Sequence, residues 1–442
     1  TDGWVYALVT NSRASKVVAD GFKYVPLEIT DLFFGANNSD SCKLYKKYVH
    51  AGDSITIYDR WMLLIFETLE NEADYTQSDS FIPPVIVYPD DKEAANYAKA
   101  DRQWQGCSSI VQTSKDVLYA AWITGGPHET AAGNYITFRR STDGGITWKD
   151  YMCLVSDDQL TTVNKVGEAA FHFAEDGSLW VFMDSTRNGN SYHGTWAMHT
   201  ENPNDPNPVW SKPRWICPGV INTKLTVLSN GMWIMATMAL YDDVDYTDIW
   251  ASDDKGETWY LRGQAYVPET YVDECCIVEL EDGRLWLTVR SIADYGIAES
   301  FSSDGGRTWT EGRDSKLGGP GSKFMMQRLK SGNLLLINHY DFMGRDHITA
   351  LLSTDDGKTW SHKLLLDERT TSYPYVTTWD YNGEEVITVI YDHERYDAKQ
   401  IYTARFTEQD IMNGTFSSKY AYQKRLIDSL SGDALFYFNN SW

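Results

Sequence analysis

Short apolar runs alternating with polar residues, set apart by Asp, Asn, Ser and Gly, recur along almost the whole chain. A period of two between turn signals predicts antiparallel strands, because successive side chains of a strand face opposite sides of its sheet. Val272 to Trp309 shows the unit best: VDECCIVELEDGRLWLTVRS, a short loop, then a strand that ends in SSDGGRTW. Glu274 opens the first strand, the Asp282–Gly283 turn reverses the chain, and Arg290 closes the second strand.

Four segments share the pattern S-x-D-x-G-x-x-W: Ser141–Trp148, Ser252–Trp259, Ser302–Trp309 and Ser353–Trp360. The starts at 252, 302 and 353 lie about fifty residues apart. The gap from 141 to 252 is about twice that and holds a repeat without the motif, FHFAEDGSLWVFMDS to GTWAMHT. Six units result, near 107–148, 168–200, 222–259, 273–309, 323–360 and 372–405. The motif itself is turn chemistry: Ser and Asp side chains bond backbone amides, Gly takes the left-handed position, and Trp packs back between sheets. Its expected role is to hold the fold. Four-stranded sheets repeated at this period predict an all-β protein, a six-bladed β-propeller over residues 96–410.

Residues 1–95 carry no copy of the repeat. The runs WVYALVT, KYVPLEI and SITIYDRWMLLIFE predict a small N-terminal β-rich accessory unit, with a hairpin turn at Gly52. Whether it is a separate module or a layer against the main domain stays open, and IPPVIVYPDDKEAANYAKA is the expected joint. Residues 411–442 are expected to pack back as a tail, with a strand against the N-terminal unit.

Charge narrows the partners. With 62 acidic against 39 basic residues the net charge is -23, which argues against nucleic acid and anionic membrane surfaces. An extended polyanion is an awkward partner, whereas one acidic sugar in a locally basic pocket is compatible. No apolar run reaches membrane-spanning length, so no membrane insertion is expected. Aromatics at 14% suit a β-core and also suit stacking on sugars. Six scattered cysteines form no C-x-x-C or Cys/His cluster, so neither a metal site nor a disulfide framework is expected, and no cofactor is implied. The chain opens at Thr1 without an export signal and reads as a mature or trimmed form, with a secreted, periplasmic or cell-surface location as the expectation.

The motif on a six-bladed pattern resembles the sialidase (neuraminidase) superfamily, with its Asp-boxes, or BNR repeats. Three further stretches are more specific. ECCIVELEDGRLWLTVR resembles the strand pair that runs from that family's glutamate to the second arginine of its triad. GRDHITALLSTDDGKTW resembles the segment of the third arginine, and SYPYVTTWDYNGEEVITVIYD that of the nucleophilic tyrosine. The resemblance covers roughly residues 100–405. It implies Tyr373 as nucleophile, Glu274 as its base, and Arg290 and Arg345 as a clamp on a sugar carboxylate. The residue types make chemical sense. Planar guanidinium groups grip a carboxylate bidentately. A neutral phenol is not repelled by that carboxylate as an anionic nucleophile would be, and tyrosine needs a neighbouring base to react. Tyr375, two residues on, is the alternative reacting group.

The departures are equally specific. The family's Phe/Tyr-Arg-Ile-Pro motif for the first arginine is missing; RQWQGCSSIVQT stands there, and Arg102 is the nearest arginine. The following loop lacks the family's aspartate. ITGGPHETAAGNY offers Glu129, either a general acid or a solvated loop residue. Trp104, Lys224 and Asp392 sit at predicted strand ends and are candidate sugar contacts, each also readable as structural. The expected function is that of an exo-acting retaining glycosidase on a terminal sialic acid or related acidic sugar. A propeller glycosidase or lyase acting on a uronic sugar, and a non-catalytic carbohydrate-binding propeller, are the alternatives.

Overall fold

The alternation is realised as seven antiparallel sheets in the computed structural model, which describes residues 3–10, 21–33, 41–49, 63–68, 83–156, 165–187, 192–238, 246–270 and 274–431. The chain divides into two units, with the break between Phe81 and Ile82. The first holds the strands Gly3–Thr10, Lys23–Phe33, Ser41–Val49 and Leu63–Thr68, with the first strand paired to both the third and the fourth. The predicted turn at Gly52 and the last eleven residues of the tail lie outside the described residues.

The second unit is a six-bladed β-propeller. Blade one holds the strands Gln105–Gln112, Leu118–Thr124, Tyr135–Ser141 and Lys149–Val155. Blade two runs from Lys165–Phe173 to Arg214–Pro218 and blade three from Thr226–Val227 to Tyr260–Tyr266. Blade four runs from Cys275–Glu279 to Arg313–Asp314, blade five from Met325–Arg328 to His362–Asp367, and blade six from Thr371–Tyr381 to Tyr422–Ser429. Each blade is a four-stranded meander in chain order. The first strands of the blades pack together at the centre, and that of blade one is buried along its whole length.

Two edges differ from the sequence expectation. The short strand Val85–Val87 pairs with Cys153–Val155 and adds a fifth strand to blade one. The described part of the tail joins the propeller: Tyr422–Ser429 hydrogen-bonds to Gln400–Thr407 and completes blade six. The reason is chain economy. Blade six has only three strands before residue 408, and the capped helical turn Glu408–Asn413 returns the chain to the open edge. Asp428 on this last strand accepts hydrogen bonds from Lys99 Nζ (2.5 Å) and Arg139 Nη2 (3.0 Å), tying blade six to blade one.

The four S-x-D-x-G-x-x-W turns repeat one hydrogen-bond set. In each, the Ser hydroxyl bonds the Asp carboxylate and accepts from the Gly amide, and the Thr amide and hydroxyl donate to the same Asp. The glycine is required twice over. Gly357 has φ +84°, and a Cβ there would lie 2.5 Å from Trp286 of the neighbouring blade. At Asp143, Asp254 and Asp304 burial pushes the carboxyl up, but the Thr hydrogen bonds outweigh it and leave the pKa below 3.8. At Asp355 the Thr359 hydroxyl and amide pull it down to about 2. A depressed carboxyl adds stability above its unfolded pKa and loses it as pH falls through the folded value. Thr359→Val is therefore expected to melt below wild type at neutral pH, with the gap closing between pH about 4 and about 2, as followed by circular dichroism.

Among the described residues no helix is long and apolar enough to cross a membrane.

Candidate active site

Three first strands carry the same irregularity at one end. The pairing register shifts between Gly106 and Ser109 in blade one, Gly167 and Ala169 in blade two, and Ser372 and Tyr375 in blade six. Inside these bulges Cys107, Glu168 and Tyr373 have φ of 57°, 27° and 53°. Left-handed backbone at a residue with a Cβ costs about 1–3 kcal/mol and collects at functional sites. Each bulge adds a residue to an alternating strand, so the strand's facing shifts there.

Tyr373 is the hub and is only 4% exposed. Arg290, at the end of the second strand of blade four, places Nη1 3.4 Å from the phenol oxygen and 2.8 and 2.9 Å from the two carboxylate oxygens of Glu274. Glu274 immediately precedes the first strand of that blade, and its carbonyl accepts from the Arg290 amide, so the two side chains leave the same corner. The Arg345 guanidinium lies 5.5 Å from the Tyr373 ring and that of Arg395 4.3 Å from it. Burial pushes the Tyr373 phenol well above its ordinary range and the carboxylates of Glu274 and Glu129 add to this, with Arg395 opposing. The phenol is neutral at rest. Burial works against charge on Arg290, but Glu274 and Tyr373 outweigh it and keep the guanidinium protonated.

A second group lies on the other side of the tyrosine. Glu129, in the loop between the second and third strands of blade one, pairs through Oε2 with Arg395 Nη1 (3.3 Å) and Nη2 (3.2 Å). The Cys107 thiol donates to Glu129 Oε1 (3.1 Å) and lies 3.2 Å from Arg395 Nη2. Below them the buried Lys323 pairs with Glu168 at 2.8 Å, its ammonium 5.6 Å from the Tyr373 ring. Burial pushes Glu168 up to about 7 against the pull of Lys323. Sulfur and carboxylate atoms of Cys107, Glu129 and Glu168 lie within 4.8 Å of one another. They are poorly suited to a cation, since Arg395 and Lys323 already pair with both carboxylates and burial raises the thiol pKa.

Of the residues singled out in the sequence, Tyr373, Glu274, Arg290, Arg345 and Glu129 come together. Four do not meet that group as sugar contacts. Arg102 turns outward, donating through Nε to the Tyr135 hydroxyl (3.1 Å) and through Nη2 to the Tyr97 carbonyl (3.3 Å). The ring of Tyr135 and the turn at Tyr97 supply its acceptors before it reaches the centre. Trp104 is fully buried beneath Arg395, 5.2 Å from the guanidinium, and offers no face to a sugar. Lys224 donates through Nζ to the Val376 carbonyl (3.4 Å), and burial lowers its pKa to about 8. Asp392 is a buried strut that accepts from the Cys107 amide (3.0 Å) and the Ser372 hydroxyl. The alternative nucleophile, Tyr375, donates to and accepts from the Phe171 backbone and so joins blade six to blade two.

Arg395, Lys323, Glu168 and Cys107 were not singled out. Arg395 stands in YDHERYD, a stretch whose density of charge at a strand end was the available signal.

A family profile of the BNR repeat-like domain matches residues 116–383. A sialidase of Bacteroides fragilis (strain YCH46) is 26% identical over 297 residues, 57% of this chain and 53% of that protein. The chain thus spans about half the length of that curated relative. Among solved structures, Hadza microbial sialidase Hz136 superposes with a TM-score of 0.58 at 22% identity, over 70% of this chain and 67% of that one. The intramolecular trans-sialidase from Ruminococcus gnavus gives 0.55 at 14% identity, over 76% and 99%. At such identities the structural likeness speaks to the fold. The profile covers more than half of the chain, and this protein belongs to the BNR repeat-like family, as a divergent propeller of the sialidase superfamily.

Proposed function

We propose that the propeller is an exo-acting retaining glycoside hydrolase that removes a terminal sialic acid or a closely related acidic sugar. One observation carries this reading: a buried neutral phenol, a carboxylate and two guanidinium groups from blades four to six meet around Tyr373 in a protein of net charge -23. Such a cluster suits an anionic sugar whose carboxylate sits on the reacting carbon. In this mechanism Arg290 and Arg345 hold the carboxylate. Tyr373 attacks the anomeric carbon, Glu274 takes the phenol proton, and Glu129 gives a proton to the departing oxygen. Water then attacks the glycosyl–tyrosine bond, giving its proton to Glu129 while Glu274 returns one to the phenolate. The relatives named as sialidases support the same substrate class.

A fluorogenic aryl sialoside tests the proposal. Wild type is expected to release the fluorophore. Arg290→Ala is expected to lower kcat/KM by about a hundredfold or more, the scale for losing a charged donor to the reacting group. No turnover of sialosides, together with turnover of an aryl uronide, would move the protein to another sugar.

A further inference from the structure

Arg395 is held in an incomplete arrangement. Its side chain is buried, stacked between Tyr373 at 4.3 Å and Trp104 at 5.2 Å. Its two Nη atoms face Glu129, yet its buried Nε has no hydrogen-bond acceptor, with Asp392 Oδ2 3.8 Å away. Asp392 is already occupied by the Cys107 amide and the Ser372 hydroxyl. Glu129 is the more accessible partner, with 29% of its side chain exposed against 6% for Arg395. The guanidinium is therefore fixed from behind and below, while the anion on its Nη edge sits on a loop open to solvent. Any acid that reaches Tyr373 arrives beside this edge.

We propose that Glu129 and the carboxylate of the incoming sugar compete for Arg395. In the free protein Glu129 occupies the guanidinium. When an acidic sugar binds, its carboxylate takes the Nη edge, and Glu129 is released toward the departing oxygen. One ion pair replaces another, and the displaced Glu129 carboxylate takes up one proton from solvent, so binding changes the net charge by that of the ligand plus one proton. It rests on the function proposed above and adds a condition to it: the proton donor becomes available only when an acid fills the site. A neutral sugar leaves Glu129 paired.

The test is a double-mutant cycle on ligand binding, which isolates the coupling between two side chains. The probe is 2-deoxy-2,3-didehydro-N-acetylneuraminic acid, titrated calorimetrically into wild type, Glu129→Gln, Arg395→Met and the double variant, each checked by its melting curve. Removing the competitor in Glu129→Gln is expected to tighten binding about tenfold, and the same change in the Arg395→Met background to alter it less than about twofold. An equal gain in both backgrounds would mean that Glu129 acts only through its general field, and the competition would be wrong. Unchanged or weaker binding by folded Glu129→Gln would overturn it as well, as would an Arg102→Ala loss of affinity unmatched by Arg395→Met. If Arg395→Met does not fold, Arg395→Gln, which also removes the charge but keeps a polar side chain, takes its place with the same expectation. Wild type that binds no acid sugar would instead remove the proposed function, a separate and distinguishable failure.

Discussion

Tyr373→Phe is expected to remain folded and to lose turnover of an aryl sialoside by about a thousandfold or more, the scale seen when a reacting nucleophile is removed. Only the phenol oxygen disappears. The ring keeps its neighbours Trp104, Cys107 and Ile123, and the guanidiniums of Arg395 and Arg345 still lie over it. The lost hydrogen bond to Arg290 is a long one, 3.4 Å, so the stability cost is about 1 kcal/mol or less. Tyr375→Phe is the matched contrast. Its hydroxyl bridges to the Phe171 amide at 2.9 Å and carbonyl at 3.2 Å. Removing it leaves two buried backbone groups short of a partner, so melting temperature falls while kcat holds. A folded, fully active Tyr373→Phe protein beside an inactive Tyr375→Phe one would transfer the nucleophile. A 2,3-difluorinated sialic acid offers a direct reading, since mass spectrometry then locates the labelled tyrosine.

What the chain discloses before folding follows from how local each signal is. The Ser, Asp, Gly and Trp of the repeated turns interact within eight residues, so the period and the six blades can be read directly. Glu274 and Arg290 are legible for a related reason: they end two strands of one hairpin, and the backbone bond between them fixes their closeness. Arg395 and Glu129 are 266 residues apart, and they meet only because blade six closes against blade one. Sequence adjacency favoured Arg102 instead, but an arginine with a tyrosine hydroxyl and a carbonyl within reach has no need to point inward. The bulges were hidden too, since Cys107, Glu168 and Tyr373 are not residues that announce left-handed backbone. The strand at Val85–Val87 was too short to separate from the N-terminal unit by pattern alone.

Lys323→Met is expected to destabilise the propeller by about 3–5 kcal/mol at pH about 8, the cost of stranding one member of a buried ion pair. Lys323 is 1% exposed, and its ammonium is the partner of Glu168 at 2.8 Å. Methionine fills similar space, so the change is mainly electrical. The pH dependence separates this cause from a packing defect. Burial already raises the Glu168 pKa to about 7 in the presence of the lysine. A carboxyl raised in the folded state contributes its stability below the unfolded pKa and loses it as pH climbs through the folded value. Without Lys323 nothing offsets the ionised form, so the gap from wild type should be small near pH 5, where Glu168 is neutral, and wide near pH 8, where it must ionise without a partner. Denaturant melts at the two pH values measure it. Glu168→Gln combined with Lys323→Met should recover most of the loss at the higher pH, because the buried pair is then replaced by neutral groups. Equal destabilisation at both pH values, with no recovery in the double variant, would assign the effect to packing. The same pair bears on the proposed chemistry: the ammonium lies 5.6 Å from the Tyr373 ring, where a positive charge favours the phenolate that the proposed mechanism calls for. The double variant should therefore regain its fold while its turnover stays below wild type.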